Sequence, residues 1–484
     1  NSNGSMVEYF DAFHSIPALG GGFVWDWRDQ GLKEISDNGR AYWAYGGHFG
    51  DAPNDANFCI NGLTDPEGIP HPALSEFAWS SRPVTVVRGD GPYIVISNRR
   101  SFEDLSDLLC RWELLINGEV FNSGILDVEL SSGQKKQFAF PASIESTTEG
   151  EVHITFYWQV KNDTESFKSG HIVSWDQVVL HERQEVYPPI STRDNQGEAG
   201  GNNSYALGDI SLEVNEENSL TGISFRGNQI MSAVPTCCVW RAPTDNDGVQ
   251  QGWMAEISGI RQKWKQEGLD NVTILNRESE VIVDDDQILL TLSREIHGSS
   301  AFASHSTTYS LTKKGLYISE LVNIPEEWED LPRVGIRFEI PDSFGQLRWF
   351  GRGPNESYPD RFLSQMIGIW ESSILEQYHP YVVPQEHGAH HETRWLTIAD
   401  EAGLKIRISA PELFSFSARI HHDEDLTTAS TIAELEHRNT VEVHIDKALR
   451  GLGTAACGPD TLPKYRLDSG PYSWDWEIVF ESTE

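Results

Sequence analysis

The sequence predicts a mainly β, multidomain chain. It reads as an incomplete β/α segment over residues 1–80, a small β-sandwich over 81–186, a linker over 187–204 and one large antiparallel domain over 205–484. Three observations carry this division. A chain of 484 residues exceeds what one hydrophobic core organises. The apolar period changes after Ser81 from helical and short-run patterns to alternation of two. Pro188-Pro189 followed by Ser191 to Ser204, with three Gly and three Asn, has linker composition.

In chain order, Met6, Tyr9, Phe10 and Phe13 form a helical stripe with Ser5 as candidate N-cap and Glu8 three residues on, and Pro17 and Gly20 end it. The run Gly21-Gly22-Phe23-Val24-Trp25-Asp26-Trp27-Arg28-Asp29-Gln30 passes abruptly from apolar to charged. A buried parallel strand has this pattern where it emerges at a barrel mouth, so Gly22 to Trp27 is expected to be a strand. A polar loop follows over Ser36 to Arg40, then the aromatic stretch Ala41 to Tyr45, an irregular glycine-rich segment over Gly46 to Asp51, and a second short strand ending near Leu63. Pro72 opens a helix reaching Trp79. Together these are the closing part of a β/α unit. Eighty residues supply too few strands for a closed parallel barrel, which takes about 250.

Between 81 and 186, Val152, Ile154, Phe156, Trp158 and Val160 alternate with other residues, and Asn117-Gly118 between apolar runs signals a hairpin. From 205 onward alternation recurs at Leu212-Val214, Ile223-Phe225, Ile288-Leu290, Leu316-Ile318, Val334-Ile336-Phe338 and Val441-Val443-Ile445, closing with Tyr472, Trp474 and Trp476. Large packed antiparallel sheets follow from that pattern.

Thirty-seven Lys and Arg stand against 73 Asp and Glu, a formal charge of -36. That field repels nucleic acid and anionic membrane, and neither is expected as a partner. No run of eighteen apolar residues predicts a membrane helix. Five cysteines, two of them adjacent at 237 and 238, make no disulfide framework and suit a reducing compartment, so the expected location is cytoplasmic. Asn1-Ser2-Asn3-Gly4 does not look like a natural start, so processing or a cut from a longer chain is expected.

Several constellations admit two readings. Trp25 and Asp26 serve either as a ring platform beside a hydroxyl-accepting carboxylate or as a core Trp and a strand-terminal Asp. Asn54, Asp55 and Asn61 offer oxygens suited to hard cations or sugar hydroxyls, but Asx-rich turns need no ligand. Arg241 to Asp247 and Trp349 to Arg361 are charged, turn-rich stretches that either bind a ligand or latch loops through Arg–Asp pairs. His387, His390, His391 and Glu392 are the densest histidine group, without the spacing of a zinc site. His421 to Asp425 reads as a solvated charged turn. No Glu stands out as one of the paired carboxylates of a glycosidase.

Gly21 to Gln30, Tyr45 to Asp51, Asn54-Asp55, Phe58-Cys59-Ile60-Asn61-Gly62, Arg241 to Asp247, Phe350 to Arg361 and Gly458 to Pro463 occur in this order, and together they resemble the carboxyl-terminal half of the large bacterial-type β-galactosidases of glycoside hydrolase family 2. The resemblance covers essentially the whole chain. It implies the C-terminal part of a TIM (β/α)8 barrel, then an immunoglobulin-like β-sandwich, then a large antiparallel β-supersandwich of the galactose-mutarotase-like kind. It also implies a retaining β-galactosidase acting on terminal β-D-galactosides such as lactose, whose nucleophile and acid/base Glu both lie upstream, with Asn1-Ser2 the remnant of the stretch following the nucleophile.

By the same resemblance Trp25 is the platform under the galactose ring, with Asp26 beside it. The Phe58 carbonyl and the Asn61 side-chain oxygen are ligands of an active-site sodium ion, and Asn54 adjoins a magnesium ion. Cys457 replaces a Trp that some members bring to the aglycone side, which leaves acceptor preference open. The implied partners are the β-galactoside, the amino-terminal portion of the same enzyme and further copies of the assembly. Two other readings stand beside this one: a non-catalytic galactose-binding or assembly module, and a family 2 hydrolase for another neutral glycoside.

Overall fold

The computed structural model describes residues 3–142, 150–183, 204–217, 219–231, 233–249 and 259–482. Asn1-Ser2 and the expected linker lie outside the described residues, except Ser204, which opens a strand.

Residues 3–80 hold α1 (Met6–Ser15), a hairpin of β1 (Leu32–Ile35) and β2 (Ala41–Ala44), and α2 (Pro72–Ser80) with Pro72 in its first turn. The polar loop at 36–40 is the hairpin turn. Ser5 precedes α1 but adopts a left-handed conformation and makes no side-chain cap. Glu8 accepts instead from Tyr465 Oη at 2.6 Å and pairs with Lys464 Nζ at 2.8 Å. A tertiary ion pair thus replaces the local capping box.

The strand expected over Gly22 to Trp27 is not formed, and Phe23 and Trp25 are 104% and 81% exposed. A parallel strand needs neighbours on both sides and cover on both faces. Here the segment has one described neighbour, the turn at 61–64: Asp26 N donates to Asn61 O (3.0 Å), Leu63 N to Asp26 O (3.1 Å) and Thr64 N to Trp27 O (3.0 Å). For the same reason the second expected strand, near Leu63, is replaced by a 3-10 turn at Ala56–Cys59 and isolated bridges at Thr64.

Two small antiparallel sheets follow. One comprises β3 (Val84–Arg88), β4 (Tyr93–Asn98) and β7 (Lys135–Ala139), and the other comprises β5 (Leu108–Ile116), β6 (Glu119–Leu126), β8 (Val152–Val160) and β9 (Ile172–His181). Val84, Ile94 and Ile96 of the first share one apolar cluster with Trp112, Phe156 and Trp158 of the second. At the β5–β6 turn Asn117 and Gly118 both have positive φ (50° and 83°), as an Asn-Gly hairpin requires.

The remaining strands are antiparallel throughout. A four-stranded sheet runs β10 (Ser204–Leu207), β11 (Ile210–Val214), β12 (Leu220–Phe225), β13 (Asn228–Met231). A twelve-stranded sheet contains β14 (Ala233–Cys238), β15 (Thr273–Val283), β16 (Gln287–His297), β17 (Phe302–Thr312), β18 (Gly315–Ile324), β19 (Arg333–Pro341), β20 (Phe344–Gly353), β21 (Met366–Ser373), β22 (His390–Asp400), β23 (Leu404–Arg419), β24 (Thr440–Leu449) and β25 (Gly470–Ser482). Every alternating segment named from the sequence lies in one of these strands. Strict alternation of burial along β16 shows why: one face meets the core and the other water. Two short helices, α3 (Ile260–Gln266) and α4 (Asp423–Thr428), interrupt the strands.

The solvated turn expected at His421 to Asp425 is instead a largely buried helix start: His421, His422 and Asp423 are buried and only Glu424 is exposed. Asp423 pairs with Arg419 (2.6 Å) and Arg333 (3.2 Å), both fully buried. These arginines also hold Glu386, at 2.9 and 3.2 Å. No helix among the described residues is long and apolar enough to cross a membrane, and all five cysteines are free thiols.

Candidate functional site

Residues 23–62 form a ledge against loops of the large sheet domain. Its underside is apolar, with Tyr45 and Ile60 packing on Val382 and Val383. Polar ties hold its edges: Tyr45 Oη donates to Ser430 O (2.7 Å), Asn38 Nδ2 to Ala433 O (3.0 Å) and Asn57 Nδ2 to Asp245 Oδ1 (2.8 Å). Phe23, Trp25, Trp27 and Phe49 of this stretch are exposed. Exposed aromatic side chains crowded into the short segment Phe23 to Trp27 mark a candidate binding place.

Trp25 is therefore not a core residue. It is joined by a cis peptide to Asp26, whose carboxylate accepts from Trp27 N at 2.5 Å and Gln30 Nε2 at 3.1 Å. Asp26 reaches Asn61 through the backbone. Asn61 Nδ2 donates to Phe58 O at 3.1 Å, while Asn61 Oδ1 is buried with no hydrogen-bond partner. A buried acceptor without a donor is costly, and a hard cation taking neutral oxygens would relieve that cost. The Phe58 carbonyl, with its second lone pair, is the adjacent oxygen. Asn61 Oδ1 and the Phe58 carbonyl thus offer neutral oxygens of the kind a hard cation takes. Asn54 differs: its Oδ1 accepts from Ala56 N (3.0 Å) and its Nδ2 donates to Asp51 O (2.8 Å), so both ends are engaged in its own turn.

The 58–62 turn is held from beneath. Gly62 N donates to Asp29 Oδ1 at 2.6 Å, and a Cβ at Gly62 would stand 2.2 Å from Asp29 N, so only glycine allows this approach. Asp29 Oδ2 lies 2.8 Å from His71 Nε2, and His71 Nδ1 lies 2.7 Å from His379 Nε2. Tyr381 stacks on His71 and donates through its hydroxyl to Glu356 Oε1 at 2.8 Å. Burial pushes His379 down to about 3, so this end of the chain of contacts is neutral. Asp29 stands in the run Gly21 to Gln30 with no part assigned to it by the sequence. No spacing links positions 29, 71 and 379.

Cys457 is exposed in the turn that follows Gly453. That turn is anchored by Asn246, which donates to Gly453 O (2.7 Å) and accepts from Ala456 N (3.1 Å). Asp360 accepts from Leu452 N (2.8 Å) and Gly453 N (2.7 Å), while Gly4 N donates to Gly453 O (3.0 Å). Arg241 and Asp247 form a fully buried pair at 2.7 Å, and Arg241 also donates to Arg450 O at 2.6 Å. The two charged motifs therefore act here as latches under the loop carrying Cys457.

The histidine group does not converge. His387 bonds the Gln385 carbonyl, His390 the side chain of Gln377, and His391 the hydroxyl of Ser415. Among the described residues, the ligand-like groups that do converge are Cys238, Asp423 and His444, and His422, Glu424 and Glu442. A guanidinium already occupies each. Arg333 Nη1 lies 2.7 Å from His444 Nδ1 and 3.2 Å from Asp423 Oδ2, and Arg337 Nη1 lies 2.7 Å from Glu424 Oε1. A metal ion there would have to displace a positive charge that is already paired.

Residues 1–85 match the TIM-barrel domain of glycosyl hydrolases family 2, residues 94–181 match domain 4 of β-galactosidase, and residues 208–478 match the family described as β-galactosidase small chain. The chain is 28% identical over 96% of its length to a β-galactosidase of Arthrobacter sp. (strain B7), covering 48% of that protein. It is 28% identical over 99% and 100% of its length to β-galactosidases of Psychromonas ingrahamii and Actinobacillus pleuropneumoniae, covering 47% of each. The chain thus spans about half the length of the relatives it matches. With more than half of its residues inside the small-chain match, in a sheet domain whose described strands run from β10 to β25, the chain belongs to the β-galactosidase small-chain family.

Proposed function

We propose that this chain is the carboxyl-terminal part of a retaining β-galactosidase that hydrolyses terminal β-D-galactosides such as lactose. In this reading the nucleophile and acid/base glutamates come from an amino-terminal portion, and residues 23–62 position the sugar for them. The observation that carries it is the joined pair of features on the ledge: the exposed indole of Trp25, and the buried, unpartnered Asn61 Oδ1 tied to Asp26 through the backbone.

Trp25 offers a flat apolar face to the pyranose and excludes water below it, while Asp26, beside it, accepts from sugar hydroxyls. Asn61 Oδ1 and Phe58 O would hold a sodium ion, which supplies positive charge to orient a sugar hydroxyl when bound. Asn54 would adjoin a magnesium ion rather than hold it, because both ends of its side chain are engaged. The two glutamates would act by double displacement, one attacking the anomeric carbon and the other protonating the leaving oxygen and later deprotonating water. Cys457, in the aglycone direction, presents a small side chain where a larger ring would restrict the acceptor.

The exposed apolar ledge supports an amino-terminal portion as partner, since its unpaired segments would pair with further parallel strands. Assembly into homo-oligomers belongs to the same proposal. The test is reconstitution: the chain and a separately produced amino-terminal portion are assayed on a chromogenic galactoside, singly and mixed. Activity only in the mixture is expected. A stable mixed complex with no galactosidase activity would sink the reading.

A further inference from the structure

A cleft of about 620 Å³ opens on the large sheet domain where several strand connections come together. Asp342 lines it from the turn between β19 and β20, Leu375 from just after β21, Asp400 and Glu401 from the end of β22 and its turn into β23, Ile420 from just after β23, and His437 from the segment before β24. None of these residues belongs to the ledge at 23–62. Hydrogen bonds fasten the connections: Ile374 N donates to Gly345 O (2.9 Å), Asp342 N to Asn439 O (3.2 Å) and Leu404 N to Asp400 Oδ1 (2.8 Å). The cleft is thus preformed by the fold.

One part of its lining is apolar. Leu375 is 60% exposed and Ile420 is half-buried, and the buried Phe344 and Ile374 line the cleft as well. An exposed leucine on a concave wall leaves apolar surface in water that a ligand would cover. The rest is anionic. Asp342 and Glu401 are exposed and Asp400 is half-buried, and no described Lys or Arg lines the cleft. Neither Asp342 nor Glu401 makes a side-chain hydrogen bond or ion pair among the described residues.

Three carboxylates without a counter-ion repel an anion and favour a cation over a neutral ligand. They are spread along the lining: among the described residues, the groups whose ligand atoms lie within 4.8 Å of one another are elsewhere, so a metal ion would lack its ligand set here. The volume falls in the range of about 300–1,000 Å³ of small-molecule sites, whereas a protein partner needs a face of about 800 Å². We propose that this cleft binds a small organic monocation with an apolar body, of which an alkylammonium ion is the simplest case, the chain against Leu375 and Ile420 and the ammonium group toward Asp342 and Glu401.

Calorimetric titration of the full chain at neutral pH and low ionic strength tests this, with hexylammonium chloride, ethylammonium chloride and 1-hexanol as probes. Saturable binding of hexylammonium is expected. It should be about tenfold tighter than that of 1-hexanol, which has the chain without the charge, and at least about tenfold tighter than that of ethylammonium, which has the charge and only a third of the chain. Asp342→Asn combined with Glu401→Gln removes two charges, and Leu375→Ser removes the apolar wall. Each variant should weaken hexylammonium binding about tenfold. All three positions are exposed, so urea midpoints should not move and a loss of binding is not a loss of fold. Hexylammonium that fails to saturate, or that binds both variants as well as the parent chain, would be held by the general acidic surface and would overturn the proposal. So would 1-hexanol binding as tightly as hexylammonium. No galactoside enters the measurement, so failure here is distinct from failure of reconstitution.

Discussion

Asp29 Oδ2 lies 2.8 Å from His71 Nε2, with both side chains buried, although 42 positions separate them in sequence. The contact joins the turn that presents Phe58 and Asn61 to α2, and through His379 to the large sheet. Asp29→Ala would remove an acceptor of Gly62 N–H and leave the buried His71 Nε2–H without its acceptor, the latter at about 1–3 kcal/mol. We expect a lowered urea midpoint for the chain and weaker sodium dependence in the reconstituted enzyme. Loss of stability with unchanged sodium dependence would confine the contact to a structural part.

Trp25 separates function from stability. It is 81% exposed, so Trp25→Ala should change unfolding free energy by no more than about 0.5 kcal/mol. If it carries the sugar, the reconstituted enzyme should lose about 1.5–3 kcal/mol of binding, roughly tenfold to a hundredfold in kcat/KM. Urea titration and galactoside kinetics on the same variant decide.

Arg419, 2% exposed, bridges Glu386, Asp423 and Glu442. Arg419→Met leaves three buried carboxylates short of a cation, and breaking such a pair costs about 3–5 kcal/mol. The expected outcome is a large loss of thermal stability that raising the salt concentration does not restore, because the pairs are shielded from ions.

Acid should unfold the protein well above the carboxylate range. Burial pushes His153, His390 and His391 down to about 4 and His379 to about 3. Each depressed imidazole binds fewer protons folded than unfolded. Its contribution is therefore fully present above the unfolded value, near 6.5, and is lost as pH falls toward 4. Each contributes a slope of up to about 1.4 kcal/mol per pH unit across that window. Urea midpoints measured from pH 7.5 to 4.5 should fall steeply, and His390→Gln should flatten the fall by one histidine's share. An unchanged profile in that variant would remove His390 from the account.

Much of the fold was legible because its signals are local. Alternation along Ile288-Leu290 or Val441-Ile445 follows from the two faces of a strand, the Asn117-Gly118 turn from its positive φ values, and the start of α2 from a Pro that needs no amide hydrogen. The candidate site was legible only through family resemblance, because Trp25, Phe58 and Asn61 follow no period and share no spacing rule.

What the sequence by itself determined was the alternating strands, the Asn117-Gly118 turn, the start of α2 and the acidic formal charge. The tertiary structure alone decided that Gly22 to Trp27 is no strand here, that His421 to Asp423 is buried, and that Asp29, His71 and His379 touch. The physical reason is the same in each case. Backbone pairing, burial of charge and contact between imidazoles depend on neighbours brought from tens to hundreds of positions away, and no local pattern of residues encodes which neighbours those are.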